Sequence, residues 1–195
     1  QLSSLRDKLK KRGQHIPLQH LNGTVHFGRY EFKSDHRALI PRPETEELVE
    51  LIEKEALPKP ARILDLGCGS GVLGLTLAKN LGTDCSHLVL ADLSTEALAL
   101  CEENAAALEV EATFVKSDLF SSIEAPFDLI VANLPYIAET ERSKVEPEVL
   151  HDPDMALFSG PDGLDLLRPF CAQCSSYLNP GGLVTLEVGY DQGEI

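Results

Sequence analysis

From residue 61 onward, apolar runs of strand length alternate with stretches whose apolar positions recur every three or four residues. Residues 62–66, 87–91, 113–115, 127–132 and 183–188 read as strands, and 71–81, 95–107 and 164–178 as helices. In 95–107, Ala97, Leu98, Cys101 and Ala105 share one side. Strands that alternate with helices predict an α/β protein: a doubly wound, mostly parallel sheet with helices on both faces. The first 40 residues differ. Residues 1–20 read as the end of a helix and a polar connection. Val25, Phe27, Tyr30 and Phe32 alternate around Gly23 and Gly28, which predicts a β-hairpin or an extended arm over 18–37. Pro41 and Pro43 bracket Arg42, and Pro43 suits the first position of a helix. Glu44, Glu46 and Glu47 place negative charge on its first turn, and Leu48, Val49, Leu51 and Ile52 form its apolar face.

The 195 residues suffice for one sizeable core with a small appendage, and 43% hydrophobic with 25% charged content is that of a soluble globular chain. No apolar run spans a bilayer and no signal peptide is visible. The division expected is 1–40, a helix end plus the hairpin arm, and 41–195, the α/β domain. The chain opens at Gln1 and stops just past the last strand, so the expectation is that further N-terminal residues and C-terminal closing strands lie outside it.

Charge narrows the partners. Seventeen Lys plus Arg against 31 Asp plus Glu give −14, and basic residues concentrate only in the first 20 positions. That argues against a broad nucleic-acid surface, which needs a basic footprint. The odd count of five cysteines without a spaced framework suggests a reducing compartment. Cys171 and Cys174 form a Cys-x-x-Cys, but no second pair stands nearby to complete a zinc site, so two half-buried helical cysteines are expected and no metal. The six histidines show no ligand spacing.

Chemistry gathers at the carboxyl ends of the expected strands, where open α/β sheets bind ligands. The first ends in Asp65-Leu66-Gly67-Cys68-Gly69-Ser70-Gly71 before a helix. Gly69, Gly71 and Gly74 also fit a dinucleotide pattern, and a tight turn is the plain alternative. An acidic Asp65 beside the loop would repel a pyrophosphate but suits the ammonium of S-adenosylmethionine (SAM). Asp92 ends the second strand, where a carboxylate can take both ribose hydroxyls. Asp118 and Leu119 follow the third and suit an adenine amino group and ring. The fourth runs into Asn133-Leu134-Pro135-Tyr136. The Asn133 side-chain oxygen and the Leu134 carbonyl can both accept from one planar NH2 group, with Pro135 and Tyr136 packed on its plane. Pro135 keeps Leu134 extended.

Residues 65–71, Asp92, Asp118 and 133–136 together resemble class I SAM-dependent methyltransferases with an Asn-Pro-Pro-Tyr-type motif, which methylate planar nitrogens. A second segment, Leu39-Ile40-Pro41-Arg42-Pro43-Glu44-Thr45-Glu46, resembles the (L)IPRP(D/E)TE signature of the HemK/PrmC family. So do the arm over 23–32 and the distal 181–187 and 192–194. The resemblance covers roughly residues 15–195, and 134 is the one motif position that departs, Leu for Pro. It implies a Rossmann-like fold, with 1–40 as the remnant of an N-terminal substrate-binding helical region plus the hairpin arm and 41–195 as the SAM-dependent catalytic domain. It also implies methyl transfer from SAM, which becomes S-adenosylhomocysteine, to the glutamine amide (N5) of the Gly-Gly-Gln motif in class-1 peptide chain release factors. That is a cytoplasmic step serving translation termination, carried out by a monomer. It assigns cofactor contacts to Asp65, Gly67, Cys68, Gly69, Ser70, Gly71, Asp92, Leu93, Asp118, Leu119 and Asn133. Substrate contacts fall to residues 133–136 with Arg42 and Pro43. Asn-Leu-Pro-Tyr also occurs in adenine-N6 methyltransferases acting on RNA, so that activity, on RNA or DNA, is the alternative. A non-catalytic SAM-binding module and an NAD-dependent oxidoreductase are more distant ones.

Overall fold

The computed structural model describes residues 2–193. Helix α1 (Leu2–Arg12) and a one-turn α2 (Leu18–Asn22) precede an antiparallel hairpin, β1 (Thr24–Phe27) and β2 (Tyr30–Lys33). Gly23 caps α2 in a left-handed conformation and turns the chain into the hairpin. Helix α3 (Pro43–Ile52) begins with Pro43 at its first turn, as expected. There follow β3 (Ala61–Leu66), α4 (Val72–Leu81), β4 (Cys85–Asp92), α5 (Thr95–Leu108), β5 (Thr113–Lys116), β6 (Phe127–Asn133), α6 (Leu167–Gln173) and β7 (Leu178–Glu187).

The five strands β3–β7 form one parallel sheet in the order β5-β4-β3-β6-β7. The order reverses between β3 and β6, and the crevice at that point is where such sheets take ligands. Residues of each central strand alternate between two cores. Ile63, Leu88, Leu90, Leu129 and Val131 face the core under α3, α4 and α5; Leu64, Val89, Ala91, Ile130 and Ala132 face the core under α6. Burial on both faces explains why these strands read as unbroken apolar runs.

The hairpin belongs to the first core. Phe27 and Phe32 meet edge to face, 6.3 Å between ring centres, and both are buried. Asn104 of α5, itself buried, ties the hairpin down: its side chain accepts from Lys33 N (2.7 Å) and donates to the carbonyls of Lys33 (3.2 Å) and Ser70 (2.9 Å).

Three expectations are corrected. The helix anticipated over 164–178 is regular only over Leu167–Gln173 and then tightens into a 3₁₀ turn, Cys174–Tyr177. The turn lays Tyr177 on Phe120 (ring centres 4.4 Å apart), with its hydroxyl donating to the Phe120 carbonyl. The last strand begins at Leu178, and Asn179–Gly182 is an irregularity within it. On α3 the buried stripe is Thr45, Leu48, Val49 and Ile52, while Leu51 is 56% exposed. A polar residue therefore occupies the inner face at the end nearest the crevice.

Candidate active site

A cleft of about 1060 Å³, counted to its open mouth, lies over the β3–β6 crevice. Its floor is the turn after β3. Gly67 has φ +73°, and a Cβ there would stand 2.8 Å from Leu134 Cδ2. Glycine at 67 thus lets the turn lie directly on the segment that follows β6. Asp65 is buried at the end of β3, and its Oδ2 accepts from Gly74 N (2.8 Å), clamping the first turn of α4 to the strand. Burial, reinforced by the charge of Asp92 and opposed by the Gly74 bond, pushes the Asp65 carboxyl up to about 7.

Asp92 ends β4 and is oriented from both sides: Oδ2 accepts from Gly69 N (2.9 Å) and Oδ1 from Ser94 N (2.8 Å). Burial raises its pKa. Each oxygen keeps a further lone pair for a hydroxyl donor. Ser117 follows β5 and shapes the next wall. Its hydroxyl donates to the Leu119 carbonyl (2.6 Å) and accepts from Ser122 N (3.1 Å), which holds Leu119 at φ +46°, a conformation uncommon for a residue with a Cβ. Leu93, 50% exposed, and Leu119 supply apolar lining beside Asp92 and Asp118.

The positive side chains at the cleft are already paired. Arg37 bonds Asp35 and Glu103, both at 2.8 Å, and Arg42 bonds Asp152 at 2.6 Å. Asp152 is buried, also accepts from Ile40 N (3.2 Å), and is pushed up to about 6 by that burial against the pull of Arg42. It pins the segment before α3 to the loop after β6. With three aspartates against two neutralised arginines, the cleft favours a cation or zwitterion over a pyrophosphate.

The fourth wall is the Asn-Leu-Pro-Tyr segment. Asn133 ends β6 and is paired in register with Glu187 of β7. Its Nδ2 donates to Thr45 Oγ1 (3.1 Å); the Thr45 hydroxyl donates to Glu187 Oε2 (2.7 Å); the Tyr136 hydroxyl donates to Glu187 Oε1 (3.2 Å). Burial first, and then the charge and bond of Glu187, push the Tyr136 phenol up to about 12, so it stays protonated. Among the described residues, nothing donates to Asn133 Oδ1 or to the Leu134 carbonyl. Leu134 as a whole is 4% exposed and belongs to the core under α6. Beyond it, Gln192 Nε2 donates to the Tyr136 carbonyl (3.0 Å), and Gly163 packs so close to that carbonyl that no side chain fits there.

Of the residues expected to form the site, Asp65, Gly67, Cys68, Gly69, Ser70, Asp92, Leu93, Asp118, Leu119, Asn133, Leu134, Pro135 and Arg42 line the cleft. Three do not. Gly71 precedes α4 and backs onto Cys101; Pro43 opens α3; Tyr136 is turned to Glu187. Thr45, Glu187 and Gln192 lie in segments that carry the family resemblance but have no role of their own from it, and Asp152 reads from sequence as part of an ordinary acidic loop. Thr45 left a signal, a hydroxyl at position i of the apolar 45/48/49/52 stripe; the other three depend on contacts between distant segments. Cys171 is exposed and Cys174 half-buried, and no group of metal-ligating side chains exists among the described residues.

Comparison with known proteins shows what the chain as a whole is similar to. A protein of Lactococcus lactis named release factor glutamine methyltransferase is 38% identical over 195 residues, covering 100% of this chain and 72% of its own. The chain belongs to the release factor glutamine methyltransferase family. A relative of the same name from Deinococcus radiodurans is 44% identical over 184 residues, which is 93% of this chain and 65% of the relative. The chain thus spans about two thirds of the length of these relatives. Residues 43–163 match the methyltransferase small domain family. Among solved structures, a Thermus thermophilus 16S rRNA N2 G1207 methyltransferase in complex with AdoMet and guanosine has the same fold. Its TM-score is 0.61 at 21% identity, over 84% of this chain and 40% of that one. In this glutamine methyltransferase family chain, no helix among the described residues is long and apolar enough to cross a membrane.

Proposed function

We propose that the protein transfers a methyl group from SAM to the side-chain amide nitrogen of the glutamine in the Gly-Gly-Gln motif of a class-1 release factor. One observation supports this reading: among the described residues nothing donates to Asn133 Oδ1 or to the Leu134 carbonyl, and both residues line a cleft that the glycine turn and Asp92 also line. The names of the relatives point the same way.

The residues present fit SAM. Asp92 is pre-oriented with one lone pair spare on each oxygen for a ribose diol, Leu93 and Leu119 offer an apolar wall for a base, and Asp118 an acceptor beside it. Gly67 leaves backbone where a side chain would stand, and Asp65 offers a carboxylate to an ammonium group. When bound, SAM supplies an electrophilic methyl on a sulfonium.

The chain's own residues address the acceptor. An amide nitrogen is a weak nucleophile because its lone pair is shared with its carbonyl. Acceptors on both N–H bonds stabilise the positive charge that builds on nitrogen as the methyl arrives. They also hold the nitrogen at a defined place, which converts the encounter to a positioned one. After transfer the nitrogen loses one proton to water. Leu134 serves through its carbonyl, since its side chain turns into the core, and this accounts for a non-proline residue there.

Methyl-labelled SAM incubated in parallel with a class-1 release factor and with ribosomal RNA tests the proposal. Label in the release factor and none in the RNA is expected. Label in the RNA alone would establish the adenine reading instead, and binding of SAM with label in neither would establish a binding module.

A further inference from the structure

We propose that Thr45 and Glu187 are positioning residues that decide which end of the Asn133 amide faces the substrate. The inference rests on the role given to Asn133 above. An asparagine amide has two nearly equal ends, one a double acceptor and one a double donor. Only the oxygen end can receive the N–H bonds of a glutamine amide, so a site built on Asn133 needs something that forbids the flipped state.

The chain of bonds from Tyr136 provides it. The half-buried Tyr136 phenol donates to Glu187 Oε1, and Glu187 Oε2 takes the single proton of the Thr45 hydroxyl. A carboxylate accepts and never donates, so Thr45 has only a lone pair left for Asn133. Nδ2 therefore faces Thr45 at 3.1 Å, which leaves Oδ1, to which nothing donates among the described residues, as the end for the substrate. Flipping the amide would set two oxygens against each other at that distance and present NH2 to the NH2 of the substrate, leaving polar groups without partners. Nearby, Glu44 and Arg42 of the same helical start also act on Tyr136 electrostatically, in opposite senses. The Pro-Glu-Thr-Glu segment, Asn133 and the far end of β7 thus form one unit, brought together by α3 packing across β7 and by the pairing of Asn133 with Glu187.

Steady-state kinetics of the full chain with SAM and a purified class-1 release factor test this. Thr45→Val removes the hydroxyl at equal size, and kcat should fall by about 10- to 100-fold, the range expected for one unpaired polar group. KM and calorimetric SAM affinity should stay near wild type. Thr45→Ser should restore most of kcat, and Glu187→Gln, which permits the flip, should lower it. In an Asn133→Ala background Thr45→Val should cost nothing more, because its effect runs through Asn133. A readout independent of turnover is the Asn133 side-chain NH2 signal in ¹H–¹⁵N NMR: one slowly exchanging proton in wild type, none in Thr45→Val. Wild-type kcat in Thr45→Val, or a loss that multiplies with Asn133→Ala, overturns the positioning role. If Asn133→Ala itself turns over normally, the role of Asn133 falls and this inference with it. If Asn133→Ala is inactive while Thr45→Val is not, the inference alone fails.

Discussion

Leu134 shows how one residue can hold two loops at once. Among the described residues nothing donates to its carbonyl, while its side chain stands in the space that Gly67 leaves open. Backbone and side chain therefore separate experimentally. Leu134→Ala should lower unfolding stability by about 2–4 kcal/mol, the usual cost of emptying a buried leucine site. It should also keep far more methyl transfer than Asn133→Ala when both are assayed well below their melting temperatures. Loss of activity equal to that of Asn133→Ala would mean the side chain matters to chemistry. Asp65 allows a pH prediction. Its folded pKa, about 7, lies above its ordinary value of 3.8. The folded state therefore holds a proton that the unfolded chain has released, and this burial weakens the fold as pH rises from about 4 through 7. Cofactor-free Asp65→Asn should accordingly gain thermal stability over wild type at pH 8 and show no gain at pH 4. An ammonium group bound beside Asp65 favours its ionised form, so SAM binding near pH 7 should release up to about half a proton. Calorimetry in buffers of different ionisation enthalpy reads that quantity, and proton uptake would contradict the assignment.

At the scale of elements, the hairpin and α3 matter because both pack on the core shared with α4 and α5, and α3 brings Thr45 to the far end of β7. Asn104 joins hairpin, α5 and glycine turn through three bonds from a buried amide. Asn104→Ala should cost about 2–3 kcal/mol, since it strands buried backbone groups. Amide exchange should accelerate across β1 and β2, and more weakly in the turn after β3; unchanged exchange in the hairpin would show that Phe27 and Phe32 hold it alone. The central strands were legible in the sequence because burial on both faces leaves unbroken apolar runs with a helix period between them. The glycine turn and Asp92 were legible because strand ends in such sheets carry the ligand groups. What escaped was tertiary in origin. The shortening of α6 follows from Tyr177 seeking Phe120, and Leu51 and Thr45 traded places because the inner face of α3 ends on a polar site. For Tyr136, expected as a ring beside the substrate, the structure adds a bond from its hydroxyl to Glu187, some fifty residues on, of which period and spacing carry no trace.

For the whole molecule, the topology reversal between β3 and β6 gathers the sites into one cleft. The groups proposed for the cofactor follow β3, β4 and β5, and those proposed for the acceptor follow β6, so the two sets meet only where these strands are neighbours. Acidic charge on the cleft and net charge of −14 on the chain suit a zwitterionic cofactor and a protein substrate better than a polyanion. The most direct measurement is mass spectrometry of the Gly-Gly-Gln peptide from a class-1 release factor after incubation with SAM and either wild-type protein or Asn133→Ala. The account predicts one added methyl on the glutamine with wild type and almost none with Asn133→Ala, while calorimetry finds SAM bound equally by both. A methyl placed at another residue, or one added equally by Asn133→Ala, would contradict it.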